Sequence, residues 1–201
     1  VVPVSDIIDV RGRPGLVMEY VPGSSLRDWL RNNSPTLEET LVLFAGIVRG
    51  VRAAHRLSII HRDLKSHNIF IHETFTDSED ASTTSSMRKS GDQSEKMETH
   101  SVVVAKIGDW GSARATLSGS RTMTHGVGTA CWLAPEVIKH ARSSKFSDVY
   151  GYGIVLWELA TREEVYQGLE TTQIIAKVAN ENLRPPIPQD CPWKDIMVKC
   201  W

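Results

Sequence analysis

Apolar positions follow two patterns along this chain, short runs typical of strands and longer repeats typical of helices. Short apolar runs at residues 7–10 and 16–21 flank RGRPG, whose Gly and Pro are typical of a tight turn, so they predict a hairpin. Residues 37–56 predict a long helix, because Thr36 and Glu39 form the T-x-x-E pattern of a capping box. The predicted apolar face of this helix consists of Leu37, Leu41, Phe44, Val48 and Val51.

The rest of the chain predicts more helices than strands. A short helix is expected after the PGSS segment at 22–25, and longer ones over 147–162 and around 171–180, with a final helix running up to the end of the chain. Strands are expected at 69–71 and 102–108, and all strands are expected to pair locally. The fold class predicted from this pattern is α+β and mainly helical.

The segment at 73–101 is predicted to be a disordered insertion between two paired strands. Twelve of its 29 residues are Ser or Thr, and it has few large apolar side chains. Such a composition cannot bury enough surface to offset the entropy lost on ordering.

Composition and charge exclude several classes of function. The chain has 201 residues, 41% hydrophobic, and a net charge of −1, which suits one domain or most of one and gives no electrostatic reason to expect nucleic acid as a partner. Its most apolar stretch, residues 149–160, is too short to span a membrane. The three cysteines are odd in number and far apart, which favours a reducing compartment and a cytoplasmic location. Because the chain starts with Val1 rather than Met, we interpret it as an excerpt.

Candidate chemistry is concentrated in three short motifs. HRDLKSHN at 61–68 lies between the long helix and a strand, so it is expected to be a polar loop on an apolar support. DWG follows at 109–111 and APE at 134–136. In the first motif Asp63 offers a carboxylate that can accept a proton. A polar surface loop without chemistry is the alternative interpretation of these residues.

The order and setting of these motifs resemble the protein kinases. HRDLKSHN matches the catalytic-loop pattern H-R-D-L-x-x-x-N, and DWG stands in the place of D-F-G ahead of A-P-E. The resemblance covers nearly the whole chain outside the insertion. The segments LVMEYVPGSSL, KIGDWGSAR, SDVYGYGIVLWELAT and KCW are similar to the tyrosine-kinase-like Ser/Thr group, which includes the Raf and mixed-lineage kinases. The resemblance does not choose between these two branches.

This resemblance implies ATP and Mg²⁺ as cofactors and transfer of the ATP γ-phosphate to Ser or Thr of a protein substrate, within intracellular signalling. Asp63 would accept the proton of the substrate hydroxyl, and Lys65 would offset charge on the transferring phosphate. Asn68, also a catalytic residue, and Asp109 would supply hard oxygen ligands to Mg²⁺. The residues implied at the adenine are Met18, Glu19, Val21 and Phe70, with Lys65 at the phosphates.

The resemblance also implies a regulatory segment and two structural contacts. Arg62 would pair with a phosphate that an upstream kinase adds to the segment between DWG and APE. Thr129 would bond between Asp63 and Lys65, His61 would pack against the residue after Asp109, and Asp148 would bond the catalytic-loop backbone. The hydroxyls implied as acceptors of the regulatory phosphate are Ser118, Ser120, Thr122 and Thr124.

The chain also departs from the kinase pattern. No G-x-G-x-x-G loop and no V-A-I-K lysine occur in the expected places within the 201 residues, and Trp110 replaces the Phe of D-F-G. We therefore expect residues 1–21 to be the last strands and hinge of a kinase small lobe, and residues 22–201 to be a large lobe truncated at its C-terminus. By itself such a fragment is expected to be inactive. Two functions remain open, an active Ser/Thr kinase seen in part and a catalytically inactive scaffold or binding module of kinase fold.

Overall fold

The computed structural model of the protein describes residues 1–76, 100–115 and 129–201, and these form a mixed α/β fold. Its helices contain more residues than its strands. Within the described part of the chain there are nevertheless seven strands and six α-helices, contrary to the prediction. Three of the strands are only two residues long. The helices are α1 Leu26–Asn32, α2 Leu37–Arg56, α3 Pro135–His140, α4 Lys145–Thr161, α5 Thr171–Asn180 and α6 Lys194–Cys200. The strands are β1 Val4–Asp9, β2 Pro14–Met18, β3 Ser24–Ser25, β4 Ile59–Ile60, β5 Ile69–Thr76, β6 His100–Ile107 and β7 Arg114–Ala115.

The first hairpin matches the sequence prediction, and its apolar residues are exposed. β1 and β2 pair antiparallel, from Val4 opposite Met18 to Asp9 opposite Pro14. Gly12 adopts φ 77° in the turn, a conformation that favours glycine, and its N–H donates to Asp9 Oδ1 over 2.8 Å. Side chains such as Ile7, which is 68% exposed, lie on the surface of this hairpin. Among the described helices, none is both long and apolar enough to cross a membrane.

The strands around the predicted insertion are longer than their apolar runs indicate. β5 and β6 pair antiparallel from Ile69 opposite Ile107 to Thr76 opposite His100. The prediction that disorder spans 73–101 is therefore wrong at both ends, because backbone pairing continues into polar residues. The part of the insertion at 77–99 lies outside the described residues.

Not all strand pairs are local, contrary to the sequence prediction. β3 pairs with β5, and β4 pairs with β7, each across a long stretch of chain. Two-residue strands carry no periodic signal, so the sequence pattern could not indicate them.

Helix α2 begins as predicted but buries a partly different face. Thr36 Oγ1 accepts from the Glu39 amide over 3.2 Å, and Glu39 Oε2 accepts from the Thr36 amide over 2.7 Å, which confirms the capping box. The predicted apolar face is correct only in part, since Phe44 and Val51 pack against the core while Leu37 is 62% exposed. A Cβ at Gly50 would lie 2.8 Å from Ile107 Cδ1, so this glycine allows β6 to pack closely. The buried positions of α2 are Thr40, Leu43, Ile47, Gly50 and Ala54.

Helix α4 is buried on almost all sides and supports the loop at 61–68. Its observed bounds, Lys145–Thr161, are close to the predicted 147–162. Ser144 and Ser147 form a capping box at its start. A Cβ at Gly151 would lie 2.8 Å from the carbonyl oxygen of Leu64, so the helix backbone approaches this loop closely.

Candidate active site

The loop at 61–68 is attached to helix α4 through one buried carboxylate. Asp148 Oδ2 accepts from the His61 amide and Oδ1 from the Arg62 amide, both over 2.8 Å. His55 Nε2 lies 2.8 Å from the same Oδ2. Arg62 has φ 73°, an uncommon conformation for a residue with a side chain. The two hydrogen bonds from the backbone amides to Asp148 hold it in this conformation. The predicted contact between Asp148 and the loop backbone is thus confirmed.

Asp63, Lys65, Asn68 and Thr129 form one hydrogen-bonded cluster. Asp63 Oδ2 accepts from Lys65 Nζ over 2.9 Å and from Asn68 Nδ2 over 3.1 Å. Lys65 Nζ also donates to Thr129 Oγ1 over 2.9 Å, and Asn68 Nδ2 to the Asp63 carbonyl over 2.8 Å. The other carboxylate oxygen, Asp63 Oδ1, is shielded from solvent and has no hydrogen-bond partner in the described part of the chain. A buried acceptor of this kind suits a hydroxyl group that a ligand brings.

Asp109 lies beside this cluster and is connected to it through the backbone. The Gly108 amide donates to the Asn68 carbonyl over 2.9 Å. Asp109 itself has φ 54°, and its side chain is exposed. A left-handed non-glycine residue next to a candidate site indicates local strain, which the surrounding contacts hold in place.

His61 has a structural role in this arrangement. Its Nε2 donates to the Gly108 carbonyl over 3.0 Å, and its Nδ1 accepts from the Asp63 amide over 3.3 Å. The imidazole ring lies 4.4 Å, centroid to centroid, from the indole of Trp110, which confirms the predicted packing. Trp110 Nε1 donates to the Ile107 carbonyl over 3.2 Å, so the N–H that distinguishes Trp from Phe is satisfied.

The donor set fits a magnesium ion shared with phosphates better than a protein-only metal site. Within residues 1–76, 100–115 and 129–201, no cluster of three or more His, Cys, Asp and Glu could hold a metal. Asn68 uses its Nδ2 to bind Asp63, which keeps its Oδ1 as a hard oxygen ligand, and Asp109 adds a carboxylate. Mg²⁺ prefers few protein oxygens together with water and phosphate oxygens.

Of the residues implied at the adenine, Glu19 and Phe70 are tied to the β5–β6 pair. Glu19 pairs through its carboxylate with Lys106, which stands opposite Phe70 in the register. The Glu19 amide donates to the Pro3 carbonyl over 3.0 Å, so only its carbonyl remains for a ligand. A Cβ at Gly108 would lie 2.6 Å from Phe70 Cε2, which places the Phe70 ring next to the residue before Asp109. Met18 ends strand β2, and Val21 is half-buried.

Sequence reasoning missed a buried charged residue in helix α4. Glu158 is 1% exposed and contacts Ser66 of the catalytic loop, Trp132 and Arg27. The sequence signal that could have found it is a lone Glu in the apolar stretch GIVLWELA, since buried carboxylates are rare unless they are paired.

Of the predicted regulatory residues, Arg62 is half-buried and Thr129 is buried. Ser118, Ser120, Thr122 and Thr124 lie outside the described residues.

Comparison with known proteins assigns the chain to a family. The sequence model described as the protein kinase domain matches residues 1–199. A mitogen-activated protein kinase kinase kinase of Drosophila melanogaster is 38% identical over 192 residues, covering 92% of the chain and 14% of the relative. The chain belongs to the protein kinase domain family.

Two further relatives also match most of this chain over a small part of their own length. A protein of Dictyostelium discoideum, named a probable serine/threonine-protein kinase, is 35% identical over 196 residues, with 92% of the chain and 12% of the relative covered. Mitogen-activated protein kinase kinase kinase 12 of Rattus norvegicus is 33% identical over 189 residues, with 92% and 18% covered. The chain thus spans less than a fifth of the length of these three relatives.

Proposed function

We propose that the protein containing this chain is an ATP-dependent protein serine/threonine kinase. The observation that carries the proposal is the state of the Asp63 carboxylate. Lys65 and Asn68 hold one of its oxygens, while the other is buried and has no partner among the described residues. A substrate hydroxyl that donates to Oδ1 would satisfy this oxygen and be aligned for transfer.

Each remaining site residue has a role in this proposal. Lys65 offsets negative charge on the transferring phosphate while it is held between Asp63 and Thr129. Asn68 and Asp109 hold Mg²⁺, which neutralises phosphate charge when ATP is bound. The residues proposed to hold the adenine are Met18, Glu19, Val21 and Phe70.

We further propose that residues 1–21 are the last strands and hinge of a small lobe and that residues 22–201 belong to the large lobe. The exposed apolar hairpin β1–β2 supports this division, because such surface is usually covered by other protein. Lys65 supports the serine/threonine assignment, and the motifs support membership of the tyrosine-kinase-like group. Three unbridged cysteines support a cytoplasmic location. The proposed partners are ATP, a protein substrate and an upstream kinase.

A catalytically inactive scaffold or binding module of kinase fold is the alternative proposal. To distinguish the two functions, the full-length protein is incubated with Mg²⁺, labelled ATP and a library of Ser, Thr and Tyr peptides. We expect phosphoserine and phosphothreonine as the main products. Phosphotyrosine as the main product would contradict the acceptor assignment, and no transfer above that of the Asp63→Asn variant would favour the scaffold.

The segment after Asp109 is proposed to regulate the kinase. A phosphate added within residues 118–124 brings about −1.5 to −2 charge at pH 7 and would bind Arg62. Replacing Ser118, Ser120, Thr122 and Thr124 together by Ala in the full-length enzyme is expected to lower kcat by about tenfold or more. The same four changes to Asp or Glu serve as the comparison. Undiminished activity of the alanine variant would contradict this regulation.

A further inference from the structure

Glu158 joins two segments of the candidate site that are far apart in the sequence. Ser66 Oγ donates to its Oε1 over 2.8 Å, and Trp132 Nε1 donates to its Oε2 over 2.9 Å. Ser66 directly follows Lys65 in the catalytic loop, and Trp132 lies three residues after Thr129. One carboxylate of helix α4 therefore binds both the loop of Asp63 and the segment that carries Thr129.

Two further contacts surround this junction, by which we mean Glu158 with Ser66 and Trp132. The imidazole of His67 packs edge-on against the indole of Trp132, with ring centroids 5.4 Å apart. Arg27 of helix α1 is buried, and its guanidinium lies 3.8 Å from Glu158 Oε1 while donating to the Glu163 carbonyl over 2.9 Å. The carboxylate is thus surrounded by two hydrogen-bond donors and one cation, as a buried charge requires.

The junction also borders a cavity. About 320 Å³ of space lies beside it, lined among others by His67, Trp132, Glu158 and Gly168.

Because Lys65 bridges Asp63 and Thr129, the separation of their two segments sets the position of Lys65. A displacement of about 1 Å within a catalytic cluster can cost about 100-fold in rate, so the element that sets this separation affects transfer directly.

We propose that Glu158 is a positioning residue, whose ionised carboxylate fixes the catalytic loop relative to the segment of Thr129 and Trp132. The inference about catalysis rests on the proposed kinase function. The inference about loop position does not, since it concerns contacts made without substrate.

The ionisation of Glu158 falls in an accessible pH range. Burial raises the pKa of Glu158 from 4.5 to about 7, and nearby Glu164 raises it further, against the hydrogen bonds from Trp132 and Ser66 and the charge of Arg27. Between pH 4.5 and about 7 the unfolded chain has released this proton and the folded chain still holds it, so this group makes stability fall as pH rises. The ionised carboxylate therefore does not stabilise the fold. Its proposed role is to position the loop, which is distinct from a role in the stability of the fold.

Protonation changes the junction in a defined way. A proton on Oε1 would make that oxygen a donor, so the Ser66 hydroxyl would have to turn round to accept, and the attraction of Arg27 would weaken. Two other titratable groups, His67 and Cys131, lie near this carboxylate, and Glu158→Gln separates their contribution from that of Glu158 itself. Burial and then Lys65 lower the pKa of His67, and burial raises the pKa of Cys131 to about 11.

The loop-position inference can be tested on the full-length protein, without substrate, by hydrogen exchange and by the indole N–H resonance of Trp132. We expect this resonance to titrate with a midpoint near pH 7 in the unmodified chain and to lose that step in Glu158→Gln. The Asn68 amide, which bonds the Lys65 carbonyl, should exchange about tenfold faster in Glu158→Gln and in the milder variant Ser66→Ala. Glu38→Gln is the matched control, because Glu38 is exposed in the first turn of helix α2 and makes the same chemical change away from this site. Unchanged Asn68 exchange in both variants would overturn the inference.

The catalytic consequence is measured with the full-length protein. Glu158→Gln and Ser66→Ala are expected to lower kcat by about tenfold and to raise the acceptor KM, with the KM for ATP unchanged within about twofold. Activity of the unmodified enzyme should rise with pH through about 7, and Glu158→Gln should lack that step. Faster loop exchange with unchanged kcat and acceptor KM would overturn the catalytic role. If the unmodified protein transfers no phosphate, the kinase proposal fails, and the exchange experiment alone decides the position of the loop.

Discussion

Replacing Asp63 by Asn is expected to lower kcat for phosphoryl transfer by about 10² to 10⁴-fold while leaving ATP affinity within about twofold. The amide keeps the size of the side chain but cannot take the proton of a substrate hydroxyl. The effect on ATP affinity is expected to be small, because the amide oxygen of the variant can still accept from Lys65 and Asn68 in place of Oδ2, whereas the partnerless Oδ1 is the atom assigned to the acceptor. Single-turnover rates and nucleotide titration of the full-length protein measure the two quantities separately.

Asp195→Asn provides the matched control for this variant. Asp195 is exposed in the first turn of helix α6, so the same chemical change there should leave both quantities unaltered. A large loss of ATP affinity in Asp63→Asn would contradict the acceptor role. Retention of more than about a tenth of the unmodified kcat would contradict the assignment of Asp63 as the proton acceptor.

Replacing Asp109 by Asn is expected to weaken Mg²⁺–ATP binding and phosphoryl transfer together. The carboxylate is an exposed charged oxygen donor, and loss of one charge-assisted contact is worth about 1.5–3 kcal/mol, or about 10- to 100-fold in Kd. Titrating nucleotide with and without Mg²⁺ separates a metal ligand from a residue that contacts ATP directly. Affinity should fall only when Mg²⁺ is present.

Comparison of the two aspartate variants is the sharper test of the assigned roles. Asn68 connects them in the structure, because its side chain donates to Asp63 and its carbonyl accepts from Gly108, next to Asp109. If the two substitutions lowered Mg²⁺–ATP affinity equally, the division between acceptor base and metal ligand would be wrong. A loss of ATP affinity in Asp109→Asn that persists without Mg²⁺ would contradict the assignment of Asp109 as a metal ligand.

Much of the site was predictable because its chemistry is contiguous in the sequence. Asp63, Lys65 and Asn68 come within six residues, and the structure brings them together by direct hydrogen bonds. Glu158 was not predicted, because its partners Ser66 and Trp132 are 92 and 26 residues away along the chain. Nothing in the local pattern around Glu158 indicates which donors will satisfy it. The same limit applies to the short pairs β3–β5 and β4–β7.

The sequence by itself determined the elements whose signals are local, and the tertiary structure decided which surfaces meet. Capping residues at Thr36 and Glu39 lie within one turn of the helix start, so the start of helix α2 follows from a few neighbouring residues. Its buried face does not, because that face depends on where β6 can approach, and Gly50 permits this approach on the same side of the helix as Leu43 and Ile47. Packing selects a face by the fit of two surfaces, and the second surface comes from a distant part of the chain.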